Sequence, residues 1–125
     1  MDKLDQIFER QSAFDEELKR LRKLDGIEME RWIQMETLAM LSELSELIDE
    51  VNFKWWKAKK PVDPNRVKEE LVDILHFFVS MCLKSGMDAD ELCERYLRKN
   101  QENFDRQHGT SGKPGYELDE PTNTR

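Results

Sequence analysis

Apolar residues recur at helical spacing along most of the chain. Leu4, Ile7, Phe8, Phe14, Leu18 and Leu21 mark a first helix that ends before Gly26. A second runs from about Glu28 to Asn52, with Trp32, Ile33, Leu41, Leu44, Leu47, Ile48 and Val51 on its apolar stripe. Pro61 and Pro64 then break the pattern. Asp63 reads as an N-cap with Pro64 at the first helical position, which starts a third helix reaching about Lys84. Gly86 reads as its stop. Asp88, with Glu91 three residues on, resembles a capping box for a fourth helix carrying Leu92, Cys93, Tyr96, Leu97 and Phe104. No segment alternates with period two. Four helices joined by short turns predict an all-α, four-helix-bundle-like fold. Residues 1–108 read as one all-α domain. Residues 109–125 hold three of the five glycines and two of the four prolines, so they read as a flexible tail able to act as a flap.

A chain of 125 residues fits a single domain with one real core. Twenty basic against 27 acidic residues leave a net charge of −7, which argues against a nucleic-acid or anionic-membrane binder. An anionic small molecule remains compatible, because a bound metal ion reverses the local sign of a carboxylate pocket. Cys82 and Cys93 make neither a disulfide framework nor a zinc site and read as core residues. The longest apolar stretch, Leu71 to Leu83, is interrupted by Asp73 and His76 and is too short for a membrane span. The N-terminus is acidic and amphipathic rather than a signal peptide. A cytoplasmic protein is the expectation.

Charge inside the apolar segments is the informative anomaly. Glu43 and Glu46 sit three apart on the second helix, and Glu70 and Asp73 repeat that spacing on the third. Each pair lies on one face, about one turn apart. Beyond Glu70 the third helix is apolar nearly all round, and a buried carboxylate is costly unless paired or metal-bound. For any one of these acids a solvated face or a lysine partner is the plainer reading. Two matching pairs on consecutive helices favour convergence on Mg²⁺ or Mn²⁺, which would bridge nucleotide phosphates and orient a water for in-line attack. A di-iron carboxylate bundle is the rival, but it needs Glu-x-x-His on two helices, and only Asp73-x-x-His76 comes close.

Two further segments carry candidate chemistry. Phe53-Lys54-Trp55-Trp56-Lys57 interleaves lysines with aromatics that can meet phosphates and bases. A Trp-covered helix end with lysines at the C-terminal dipole is the alternative. Lys99, Asn103 and Arg106 share one face of the fourth helix ahead of Gly115-Tyr116, and Arg suits bidentate phosphate contacts.

These pieces together resemble the dimeric dUTPases of the all-α nucleoside triphosphate pyrophosphatase (MazG-like) superfamily. The resemblance rests on Glu43-x-x-Glu46, Trp55-Trp56-Lys57, Glu70-x-x-Asp73 with His76-Phe77-Phe78, and the Lys99…Asn103…Arg106…Tyr116 pattern, over roughly residues 36 to 116. It implies hydrolysis of dUTP, and of dUDP, to dUMP with release of pyrophosphate or phosphate. It implies metal ligation by Glu43, Glu46, Glu70 and Asp73, with Glu46 accepting the proton of the attacking water. Trp56 and Phe78 would flank the uracil, and His76 and Phe77 would line the base or sugar pocket. Lys54, Lys57, Lys99, Asn103, Arg106 and Tyr116 would address phosphates or deoxyribose. Gln11 and Asp15 match positions where the family carries a base-contacting Gln and Asn, and Asp15 departs from the Asn by offering only acceptors. His108 to Pro114 lengthen the usual step between Gln107 and Gly115. The chain is short for the family, so a homodimer that buries the apolar faces of the second and third helices is expected. A related pyrophosphatase acting on dCTP or a modified nucleotide, or a non-catalytic helical interaction module, are the alternatives.

Overall fold

The computed structural model describes residues 1–113. Tyr116, and with it the tail beyond residue 113, lies outside them. Four α-helices follow one another, α1 (Lys3–Arg22), α2 (Met29–Asp49), α3 (Pro64–Lys84) and α4 (Ala89–Gln107), with no strand among the described residues. The all-α class is therefore as the periodicity predicts. Residues 1–88 form one compact unit, and the described residues from Ala89 belong to a second.

Local chemistry sets the helix ends. Asp2 caps α1 by accepting from the Asp5 amide at 2.8 Å, and the Asp5 carboxylate accepts in return from the Asp2 amide at 3.3 Å. Asp63 accepts from the Asn65 amide at 3.0 Å with Pro64 behind it, as predicted. Gly86, at φ +85°, ends α3: its amide donates to the Leu83 carbonyl and the Met87 amide donates to that of Cys82. This is the paired closure that a left-handed residue permits.

In the first unit α3 packs against both α1 and α2. The α2–α3 pair is antiparallel: Glu36 meets Ser80 near one end and Glu50 meets Arg66 near the other. Phe8, Trp32, Val79 and Cys82 are buried between the helices. Much of the remaining apolar surface is open, including Leu38, Leu41 and Ile48 on α2 and Leu71, Val72 and Leu75 on α3.

Between α2 and α3, Asn52 closes the connecting loop with its side chain. Its Nδ2 donates to the Lys60 carbonyl at 2.8 Å and its Oδ1 accepts from the Lys60 amide at 3.0 Å. Asn52 itself sits at φ +58°, a conformation that Asn tolerates better than most residues.

Candidate active site

The antiparallel α2–α3 pair brings carboxylates together at mid-height. Glu43 and Glu46, one turn apart on α2, and Glu70 on α3 each present an oxygen within 4.8 Å of the others. Asp73, one turn beyond Glu70, does not join that trio, but its charge reaches both Glu43 and Glu70. Lost hydration is the main reason that the carboxyls of Glu43 and Glu70 are held above their ordinary value, with the Glu46 charge next. One oxygen on each, Glu43 Oε2 and Glu70 Oε2, is buried with no hydrogen-bond partner. Among the described residues, no lysine or arginine pairs with any of the three. Hard oxygens that are close-set and short of donors fit a divalent cation such as Mg²⁺ or Mn²⁺.

A second acidic cluster lies further along the same helix pair. Asp15 on α1 and Glu36 on α2 are both buried and both contact the Ser80 hydroxyl, at 2.8 and 2.6 Å. Lys84 donates to Glu36 Oε1 at 2.8 Å and to Ser80 Oγ at 3.0 Å, and stands 3.8 Å from Asp15 Oδ2. Its ammonium also lies 3.7 Å from the centre of a Trp32 ring, at cation–π distance. Sequence reasoning missed Glu36, Ser80, Lys84 and Trp32. The available signal was Ser80, a lone hydroxyl in the apolar run His76 to Leu83, one turn ahead of Lys84.

Gln11 Nε2 donates to Asp15 Oδ1 at 3.0 Å, so the two residues aligned with base-contacting positions touch each other. Gln11 then lines an open groove of about 640 Å³ between α1 and α3, with Phe14, Val72, Leu75, His76 and Val79. Asp15 lines a separate recess with Trp32 and Lys84. His76 follows Asp73 by one turn, but the groove it lines opens on the face of α3 away from Glu70.

The remaining candidates are placed elsewhere. Lys54 and Lys57 line a small recess of about 220 Å³ with Asp49, Asn52 and Phe53, and Lys54 lies 3.8 Å from Asp49. Trp56 packs edge-to-face on Phe53 and Trp55 and is largely exposed. Phe77 is half-buried on α3, while Phe78 is exposed; neither lines the groove. Lys99, Asn103 and Arg106 belong to α4 in the second unit. The structure thus assembles Glu43, Glu46 and Glu70 on one side of α3 and Gln11 with His76 on the other.

A protein-family model described as dUTPase matches residues 3–88, and so ends where the first unit ends. The dCTP pyrophosphatase of Enterobacteria phage T4 is 37% identical over 86 residues, covering 58% of this chain and 50% of that protein. The dCTP pyrophosphatase of Enterobacteria phage LZ5 is 45% identical over 47 residues, covering 38% and 27%. A phage T4 protein named DNA replication protein is 35% identical over 80 residues, covering 53% and 20%. The chain therefore spans half or less of the length of these curated relatives. No solved structure matches.

Proposed function

The chain belongs to the dimeric dUTPase family, and on that premise we propose that it is a Mg²⁺-dependent pyrophosphatase of a pyrimidine deoxynucleoside triphosphate. The family supports dUTP, with dUDP, as the substrate. The names of two phage relatives support dCTP. The observation that carries the reading is the convergence of Glu43, Glu46 and Glu70 from two helices, with buried oxygens left without donors.

Glu43, Glu46 and Glu70 would hold the cation, and Asp73 would add its charge one turn away. When bound, such an ion neutralises phosphate oxygens and lowers the pKa of a water. Glu46 is the exposed member of the trio and can face that water. It takes the water's proton as the oxygen bonds to phosphorus and pyrophosphate leaves as the mononucleotide forms. Lys54 and Lys57, on the loop after α2, supply positive charge for the phosphates.

Turnover of a nucleotide panel with Mg²⁺ and with EDTA tests this directly. Metal-dependent release of pyrophosphate from dUTP or dCTP is expected. Glu46→Gln should lower kcat by on the order of 10²–10⁴-fold while the melting temperature holds. Full activity in that variant would remove Glu46 from its role. A non-catalytic helical module would show neither turnover nor stabilisation by Mg²⁺.

The exposed apolar residues of α2 and α3 further support a homodimer built on those faces. Sedimentation at micromolar concentration should give twice the chain mass. A monomer there would overturn the dimer while leaving the metal site untouched.

A further inference from the structure

The loop between α2 and α3 gathers like charge around one recess. Lys54, Lys57 and Lys60 line about 220 Å³ of it with Asp49 and Phe53. Lysines set this close repel one another, and each keeps rotamer freedom that an arriving anion must remove. Lys54 stands 3.8 Å from the Asp49 carboxylate, and its ammonium lies 5.8 Å from the centre of the Phe53 ring. The Lys57 amide donates to the Lys54 carbonyl at 3.0 Å, a turn that sets Lys57 beside it. Lys60 has its place from Asn52, whose amide pairs with both the N–H and the carbonyl of its backbone, at 3.0 and 2.8 Å.

These last two bonds run from a side chain to backbone, so they fix the path of the loop whatever the lysine side chains do. A primary amide carries both a donor and an acceptor, which is what closing on a single residue from both sides requires. The recess is thereby assembled in the ligand-free chain, and an anion that enters it does not bear the cost of ordering the loop. Asp49 follows Glu46 by three residues on α2, on the same face and about 4.5 Å along the axis, so the recess begins one turn from Glu46.

We propose that Asn52 is a positioning residue of the pyrophosphatase, whose staple to Lys60 holds the lysine-lined recess in the shape that receives the phosphate chain. It acts through Lys54, Lys57 and Lys60 and touches no reacting atom. The inference rests on the pyrophosphatase reading above, in which Lys54 and Lys57 meet the phosphates.

Asn52→Gly isolates the staple, because glycine adopts φ +58° without strain while both bonds are removed. With Mg²⁺ and whichever of dUTP and dCTP is turned over, KM should rise by about tenfold while kcat changes by less than about twofold. Thermal stabilisation by Mg²⁺ alone should match that of the unmodified protein, since the acids stand on α2 and α3. An unchanged KM overturns the role. Loss of kcat or of the Mg²⁺ effect also overturns it, by making Asn52 a support of the helices instead. The double variant Lys54→Ala, Lys57→Ala separates the proposal from the reading beneath it. If that variant loses affinity and Asn52→Gly does not, the Asn52 role alone fails. If it keeps full affinity, the phosphates lie elsewhere and both fall.

Two readouts need no turnover. Inorganic tripolyphosphate with Mg²⁺ should bind Asn52→Gly about tenfold more weakly, and equal binding overturns the role. Weaker binding supports it even where no nucleotide is hydrolysed, a result that would fault only the catalytic reading. In the ligand-free, unmodified protein the Lys60 amide should exchange with solvent more slowly than those of Trp55 and Trp56. Equal exchange at the three would show an unlatched loop, and it overturns the proposal even if Asn52→Gly does not fold.

Discussion

The α2–α3 pair carries two acidic clusters, and they differ in what accompanies the acids. At Asp15 and Glu36 the protein supplies its own cation, Lys84, together with the Ser80 hydroxyl and the face of Trp32. At Glu43, Glu46 and Glu70 it supplies nothing of the kind among the described residues, and two buried oxygens have no partner. A cluster with an internal counter-charge has its charges offset within the folded chain, although Glu36 Oε2 is also buried without a hydrogen-bond partner. A cluster without one is repulsive by itself and gains from a cation brought by solvent. The first holds the Gln11 amide through Asp15, and the second has the close-set hard oxygens that the proposed cation would need.

The largest effect should come from removing the built-in cation. Lys84→Met leaves two buried carboxylates uncompensated and should destabilise the protein by about 3–5 kcal/mol in chemical denaturation. Combining it with Glu36→Gln should restore part of that loss, which a double-mutant cycle would read as coupling. Purely additive effects would show that Lys84 and Glu36 do not act together. Next in size is the gain from metal: Mg²⁺ at a hundredfold excess over its Kd should stabilise the protein by about 2.7 kcal/mol. Glu70→Gln should reduce that gain sharply, whereas Lys84→Met should leave it in place. If both variants respond alike, the division between the clusters fails.

The smallest effect carries a sign. Without metal, Glu43 and Glu70 bind protons more tightly in the folded chain than at the ordinary carboxyl value of 4.5. Their contribution to stability is full below that value and is lost as pH rises through the raised folded values. In EDTA at neutral pH, Glu43→Gln should therefore melt slightly above the unmodified protein, and the difference should vanish as pH falls towards 4.5. A variant that melts lower at every pH would mean that Glu43 is stabilised by its neighbours rather than repelled.

What was legible in the sequence follows the range of the forces involved. Asp63, Pro64 and Gly86 act within a turn of themselves, so the limits of α3 could be read directly. Glu43, Glu46 and Glu70 were legible because equal spacing on successive helices implies shared faces whatever the detailed packing. Glu36 and Lys84 were not, because each has an ordinary local explanation: a polar helix face for the first and a favourable C-terminal charge for the second. Only the register of α2 on α3 brings residues 48 positions apart to 2.8 Å. Likewise, Gln11 and Asp15 could be aligned with base-contacting positions, but their hydrogen bond to each other depends on which rotamers the packed helices leave open.

The Asn52 side chain has a consequence for how the α2–α3 connection can change. By pairing with both the amide and the carbonyl of Lys60, it fixes the two ends of the loop independently of what lies between them. Residues 53–59 then behave as a cassette whose length and side chains can vary without shifting either helix, since lengthening a closed loop adds little free energy. Side chains in the cassette can change by substitution while the acids a turn or two away on α2 keep their places. Replacing Asn52 would instead couple every change in the loop to the register of both helices.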